Sequence, residues 1–325
     1  MKKKAILAFF GLLIFSSTFG QDQEKYSALV KEADKFYENK DFLNSGKKYS
    51  EAFVALGDKG MVNDRYNAAC SWALANKPDS AFVQLFIIAE NGNYKNLGHI
   101  TTDTDLNSIH NDERWNKVIE IVKSNKEKYE ANLDKPLVAI LDTIYQEDQK
   151  YRQQIKGIEE KYGSNSKKVK AHWKIIMKKD HLNLIKIQKI LDERGWLGPD
   201  IVGDQGNMTL FLVIQHADLE IQEKYLPMMR EAVSKGNAKA YDLALLEDRV
   251  ALRKGGKQIY GSQIGMNQKT GEFYVLPLVD PDNVNKRRSE VGLGSIQDYI
   301  SMWEMTWNVE EYKKKLPEYE AKQKK

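Results

Sequence analysis

The sequence has very little cysteine: Cys70 is the single one in 325 residues. One cysteine cannot form an internal disulfide, so the fold must depend on its hydrophobic core. Histidine is also scarce, with five residues, and neither a His-x-x-x-His pair nor a pair of cysteines is available for zinc. A Gly-x-Ser-x-Gly nucleophile motif is absent as well. We therefore expect no metal site and no bound cofactor.

The chain also lacks a marked excess of charge. It has 50 lysines and arginines against 46 aspartates and glutamates, and three of the lysines lie at positions 2–4. Without those three the balance is 47 against 46 (50 − 3 = 47), a net charge near +1. A nucleic-acid-binding surface requires a concentrated positive charge, so we expect no nucleic-acid partner.

Long hydrophobic runs are missing except at the N-terminus. Lysines at positions 2–4 precede an apolar run over residues 5–15, and a small residue, Gly20, precedes Gln21. This order is typical of a secretory signal peptide, which we place at residues 1–20. We expect an exported protein, periplasmic or extracellular, with no transmembrane segment after signal removal. An uncleaved membrane anchor is the alternative.

Two segments of the N-terminal half correspond at an offset of 36 residues, as from Ala33 to Ala69. Each contains two short amphipathic stretches joined by a polar turn, at residues 39–41 and 76–79. The period is close to that of the tetratricopeptide repeat, which the sequence resembles. The corresponding residues are Ala33, Phe36, Ser45, Tyr49 and Ala52 in the first segment, and Ala69, Trp72, Ala81, Leu85 and Ile88 in the second.

The resemblance implies a helical solenoid over residues 21–128, closed by the segment 101–122. Solenoids of this kind present a concave surface to extended partners. We therefore expect a protein or peptide partner for this domain. A structural spacer without any ligand is the alternative.

The second domain, residues 129–318, is predicted to be mainly helical with one β-hairpin. Apolar residues recur at helical spacing over 137–162, 167–194, 207–225 and 237–254, and a glycine-rich loop is expected at 198–206. Strands are predicted over 258–264 and 272–279 around a turn at 267–271. The lysine-rich end from Lys313 is predicted to be frayed, with a charged tail over 319–325. The predicted fold is mostly α, with a tetratricopeptide-like solenoid followed by an α+β domain.

Several motifs in the second domain resemble an uncharacterised bacterial domain family of exported proteins. They are GW-GPD-VG at 195–203, QHAD at 215–218, LLEDR at 245–249, QIYGSQ at 258–263 and a final VNKRRSEVGL at 284–293. The resemblance covers about residues 137–299 and implies no activity, substrate or cofactor. It implies that the family's signature positions are Gln215, His216, Asp218, Asp248, Arg249, Gln258, Tyr260, Gly261 and Gln263.

These residues permit one kind of chemistry, general acid–base catalysis. In that hypothesis His216 acts as a base, Asp248 orients it, and Arg249 or Tyr260 holds an anion. The other signature residues are ligand-binding candidates. The alternative is a buried polar network that fixes a helix against the hairpin. The sequence therefore predicts an exported binding or scaffold protein, with an enzyme centred on His216 as the second possibility.

Overall fold

The computed structural model describes residues 14–267 and 270–323, and the chain divides into two compact units, Met1–Ala131 and Asn132–Lys325. The described residues are mainly helical, and their one sheet is a pair of antiparallel strands. This confirms the predicted mostly α fold with a single β-hairpin. The predicted signal peptide lies outside the described residues up to position 13, and residues 14–20 belong to the first helix. None of the described helices combines the length and apolar content that a bilayer crossing requires.

The first unit consists of helical hairpins followed by a closing segment. Its helices are α1 (Ile14–Glu38), α2 (Phe42–Ala55), α3 (Val62–Leu74), α4 (Pro78–Glu90), α5 (Leu97–Thr102), a 3-10 helix (Thr104–Ile109) and α6 (Glu113–Glu130). Helices α1 and α2 pack together, as do α3 and α4.

The two hairpins repeat the same turn geometry at the offset of 36 residues. Lys40 and Asn76 both adopt positive φ angles, 60° and 55°. In each turn the following amide donates to a carbonyl five residues back, from Asp41 to Phe36 and from Lys77 to Trp72, at 2.9 Å in both. The small residues Ala33 and Ala69 are fully buried. The backbone thus repeats where the sequence does.

The second unit has a helical body and a smaller C-terminal part. Its elements are α7 (Lys135–Gln153), α8 (Ile155–Tyr162), α9 (Lys167–Arg194), α10 (Pro199–His216), α11 (Leu219–Ser234), α12 (Ala240–Arg253), β1 (Ile264–Met266), β2 (Phe273–Val275), α13 (Val284–Glu290), α14 (Ile296–Ile300) and α15 (Val309–Gln323), with 3-10 helices at Pro281–Asn283 and Ser301–Trp303. Helix α10 contacts α7, α9, α11 and α12 and lies in the middle of the helical body.

Local capping explains several helix ends. Ser166 Oγ accepts a hydrogen bond from the Val169 amide at the start of α9, and Gly195 follows its last residue with φ = 71°. A polar side chain at the N-cap and a glycine after the C-terminus satisfy backbone groups that the helix leaves open. The bounds of α9 therefore agree with the prediction over 167–194.

The predicted helix over 207–225 is wrong, because the chain breaks after His216. Ala217 has extended backbone angles, and Asp218 accepts a hydrogen bond from the Ile221 amide at 3.1 Å as the N-cap of α11. The predicted loop over 198–206 is helical instead. Helix α10 begins at Pro199 and is kinked at Gly203, whose φ is 74°. The helix predicted over 137–162 is likewise interrupted, at Gln154.

The predicted strand over 258–264 is also wrong, because only its last residue is in a strand. Strand β1 pairs with β2 from Ile264 opposite Val275 to Met266 opposite Phe273. Residues 258–263 form an irregular loop, which we call the QIYGSQ loop, and two of the turn residues, 268–269, lie outside the described part of the chain.

The C-terminal segment is ordered against the rest of the second unit rather than frayed. Tyr312 on α15 is buried, and Lys313 Nζ lies 2.6 Å from Asp282 Oδ1. Gln323, within the predicted charged tail, donates to the carbonyls of Leu252 and Gly256. The segment is helical to residue 323 because its tyrosines pack on the hairpin, as in the stack of Tyr319 on Tyr274.

Candidate functional site

His216 is the last residue of α10 and pairs with a carboxylate of another helix. Its Nδ1 lies 3.0 Å from Asp148 Oδ1 on α7, and the side chains are 20% and 2% exposed. An ionised carboxylate only accepts hydrogen bonds, so we assign the proton to Nδ1, which leaves Nε2 of a neutral ring as an acceptor. The sequence-based expectation that Asp248 orients His216 is thus wrong, since Asp148 occupies that role.

The Asp148 carboxylate is held in place by two further contacts. Gln149 Nε2 donates to its Oδ2 at 2.8 Å, and Arg152 Nη1 lies 3.2 Å from its Oδ1. Burial raises the pKa of Asp148, but His216, Arg152 and Gln149 outweigh it, so the pKa is lower than that of an ordinary aspartate. Arg152 also binds Asp180 at 2.8 Å. The carboxylate beside His216 is therefore negatively charged at neutral pH.

Two arginines of α12 bind the backbone on either side of His216. Arg249 Nη1 donates to the Gln215 carbonyl and Arg253 Nη1 to the Ala217 carbonyl, each at 2.7 Å. The last carbonyls of a helix lack internal partners, and positive charge is favourable there. The two guanidinium groups therefore cap α10 at its C-terminal end and fix the backbone that carries His216.

Asp248, the neighbour of Arg249, faces the other way and organises the QIYGSQ loop. Its fully buried carboxylate accepts hydrogen bonds from the amides of Ile259, Tyr260 and Ser262 at 2.6–3.2 Å. Burial raises the pKa of Asp248, while these three donors act in the opposite direction. Asp248 is thus a structural residue and does not contact His216.

Several other polar groups of the QIYGSQ loop also have partners. Gln258 donates to the carbonyls of Gln263 and Leu276 and accepts from the Gln263 amide. Further donors reach the loop carbonyls: Arg287 binds that of Ile259, Arg288 that of Tyr260, and Tyr299 that of Ser262. These contacts engage most of the backbone amides and carbonyls of the loop and so favour one conformation.

Gly261 is the point at which this loop turns. Its φ is 70°, and a Cβ atom there would lie 2.9 Å from Ile296 Cδ1. The positive φ favours glycine, because other residues rarely adopt this angle, and a Cβ atom would also displace the end of the Ile296 side chain. Among the signature positions, Gln258, Gly261 and the backbone of Tyr260 therefore have structural roles.

Of the remaining candidates, some lie near His216 and others have only a structural role. Gln263 Oε1 accepts from Arg249 Nε at 3.2 Å and so extends the site around His216. Gln215 is buried, its side chain donates to the Leu245 carbonyl at 3.4 Å, and its Oε1 has no partner within the described residues. Asp218 is the exposed N-cap of α11. The structure thus brings Gln215, His216, Arg249 and Gln263 together and leaves Asp248 and Asp218 outside.

A comparison with protein-family models matches residues 132–311 to a family described as "Family of unknown function (DUF6624)". The match covers more than half of the chain. The chain belongs to the DUF6624 family. No curated protein and no solved structure matches it.

All the residues around His216 lie within the DUF6624 segment, including three that the sequence analysis missed: Asp148, Arg152 and Arg253. Arg253 follows Arg249 by one helical turn, so the spacing on α12 contained a signal for it. Asp148 is 68 residues from His216, and nothing in the local sequence of either residue indicates the pairing.

One group outside the DUF6624 segment has side chains that could ligate a metal. The ligand atoms of Cys70, Asp103 and Asp105 lie within 4.8 Å of one another in the first unit. Tyr66 and Tyr37 already donate to Asp103 and Asp105, and burial raises the pKa of the Cys70 thiol. These contacts make the group a hydrogen-bonded network that holds the 3-10 helix, and the prediction of no metal stays a prediction.

Proposed function

We propose that this chain is an exported protein of the bacterial envelope whose first unit, a tetratricopeptide-type solenoid, binds a peptide segment of a protein partner. The repeated hairpin geometry and a groove on that unit support the proposal. The DUF6624 unit carries a second candidate function, described below.

The groove lies between the first three helices of the first unit and has a volume of about 700 Å³. Leu29, Val54 and Trp72 form apolar parts of its lining, and the Val54 side chain is strongly exposed, at 68%. Lys25, Lys47 and Glu51 also line it; Glu51 is paired with Lys48, whereas neither Lys25 nor Lys47 has an ion-pair partner within the described residues. An apolar surface beside unpaired positive charge favours a segment with an apolar side chain and nearby carboxylates.

A peptide-display selection on the full chain tests this proposal. We expect enriched peptides to combine an apolar anchor with acidic residues. Val54→Glu places a negative charge in the groove and should weaken the binding of a selected peptide by about tenfold or more. Val83→Glu is the matched control, because Val83 is 54% exposed on α4 and does not line the groove. Equal binding by the wild type and the Val54→Glu variant would refute a peptide site in this groove.

Export is supported by the lysines at positions 2–4 and the apolar run that follows them. Expression of the full chain in a bacterial host, followed by N-terminal sequencing of the protein from each cell fraction, tests it. We expect a mature N-terminus at Gln21 in the periplasm or medium. An unprocessed chain in the cytosol would contradict the proposal.

The second candidate function is general acid–base catalysis in the DUF6624 unit. It is supported by the contact between His216 and Asp148, because a carboxylate on Nδ1 orients an imidazole so that Nε2 can accept a proton. The partial exposure of His216 leaves a path for a small molecule to approach the ring.

A turnover screen with pooled small metabolites, read by NMR, tests the catalytic function. We expect a compound that the wild type converts and the His216→Gln variant does not. The loss of a positioned base lowers rates by about 10²–10⁴-fold. The Asp218→Ala variant is the control, since Asp218 caps α11 without contacting the ring. Conversion at equal rates by wild type and His216→Gln would exclude the histidine as the base.

A further inference from the structure

The two arginines at the end of α10 carry positive charge that no carboxylate of the described residues contacts. Neither Arg249 nor Arg253 has a carboxylate within 4.0 Å in the described parts of the chain. Their guanidinium groups donate hydrogen bonds to two backbone carbonyls and one side-chain amide oxygen. Arg152, by contrast, contacts the carboxylates of Asp148 and Asp180. Arg249 and Arg253 therefore differ from Arg152 in having no carboxylate partner among the described residues.

The helix end that they cap compensates only part of this charge. The C-terminal end of a helix is equivalent to about half of one negative charge, against two full positive charges here. Burial lowers the pKa of Arg249, and the charges of Arg253 and Arg152 lower it further. The arginines therefore repel each other in the free protein, and an anion between them would relieve that repulsion.

We propose that Arg249 and Arg253 bind the oxyanion group of a small ligand, a carboxylate or a phosphate, beside His216. Arg249 donates through Nη1 and Nε and Arg253 through Nη1, so both retain further N–H donors. A guanidinium group has five such donors in a planar fork that matches two oxygens of an oxyanion. Gln263 fixes the orientation of Arg249 through its Oε1.

This inference names the ligand class for the second candidate function, and it can succeed or fail separately. If His216 is a base, the anion anchors the substrate next to it. If no reaction occurs, the same arginines bind an anionic ligand without converting it. Binding therefore has to be measured directly rather than through turnover.

Isothermal titration calorimetry of the full chain at low ionic strength provides the test, with sodium phosphate in one series and sodium acetate in another. We expect saturable binding of at least one anion, and the tighter of the two identifies the class of oxyanion. Arg253→Gln should weaken binding by about tenfold or more, since one bidentate contact is lost. Arg253 is exposed, so this variant is expected to fold normally, which circular dichroism checks.

Lys254→Gln is the matched control. It removes the same charge from the next residue, and Lys254 is bound to Glu223 at 2.6 Å on the surface. We expect this variant to bind the anion as the wild type does. Arg249→Lys, which keeps the charge but loses the fork, should also bind more weakly. The proposal is overturned if neither anion binds saturably, or if Arg253→Gln and Lys254→Gln reduce the affinity equally.

Discussion

Removing the carboxylate of Asp248 should release the QIYGSQ loop. Asp248 is fully buried, and it accepts the amides of Ile259, Tyr260 and Ser262. In an Asp248→Ala variant these three donors lose their partner, and each unsatisfied buried donor costs about 1–3 kcal/mol. The loop can relax and admit water, so the total destabilisation should be smaller than the sum of the largest single costs. We expect it to be near the cost of breaking a buried charged contact, about 3–5 kcal/mol.

Native-state hydrogen exchange measures this effect locally, which avoids assuming that the two units unfold together. A loss of about 3–5 kcal/mol in the free energy of opening corresponds to exchange roughly 10²–10⁴-fold faster at these amides. Mass spectrometry of a peptide that contains residues 258–263 reports it.

Glu247→Ala is the control for Asp248→Ala. Glu247 is the preceding residue on α12, and its carboxylate binds the exposed Arg230 at 2.8 Å. Removing the Glu247 carboxylate should lower the free energy of unfolding by less than about 1 kcal/mol and leave the hydrogen exchange of the loop unchanged. If both variants leave the loop amides equally protected, the reasoning that Asp248 organises the loop is wrong.

Three further predictions concern stability. Gly261→Ala should lower the free energy of unfolding in urea by about 1–3 kcal/mol, because of the positive φ and the contact with Ile296. Gly294→Ala should change it little, because nothing lies within 4 Å of a Cβ atom placed at Gly294. Burial raises the pKa of Asp242 to about 6. Its favourable contribution to the free energy of unfolding is therefore present at low pH and is lost as pH rises through that value. Asp242→Asn should therefore stabilise the protein by about 1–3 kcal/mol at about pH 8 and by little at about pH 4. The pKa of Asp148 is lowered, so its contribution to the free energy of unfolding is present above about pH 4 and is lost on further acidification. Asp148→Asn should therefore lower the free energy of unfolding by about 1–3 kcal/mol at neutral pH and by less at about pH 3. A pH-independent effect of either substitution would contradict the assigned shift.

The sequence predicted the helices whose ends have local signals. Ser166 and Gly195 mark the ends of α9, and both act through neighbouring backbone groups. The break before α11 had a signal too, since Asp218 is a good N-cap residue. The apolar periodicity of residues 207–225 continues across the break and concealed it, because both helices bury their apolar sides in the same core.

The errors around the site arose from long-range contacts. Residues 258–263 have the composition of a strand, but three of their amides, those of Ile259, Tyr260 and Ser262, bind Asp248 on a preceding helix instead of a neighbouring strand. The partner of His216 could not be predicted, because Asp148 lies on α7 and only the packing of α7 against α10 brings them together. Local sequence thus indicated helix ends more reliably than it indicated the distant partners of polar side chains.

The central claim is that Asp148 holds the imidazole of His216 with its proton on Nδ1. Nitrogen-15 NMR of the histidine rings at about pH 9, where an ordinary imidazole is neutral, measures this directly. The His216→Gln variant identifies the signal among those of the five histidines. We predict that His216 is mainly the Nδ1–H tautomer and that Asp148→Asn changes this balance. A ring protonated mainly on Nε2, with no response to Asp148→Asn, would contradict the claim.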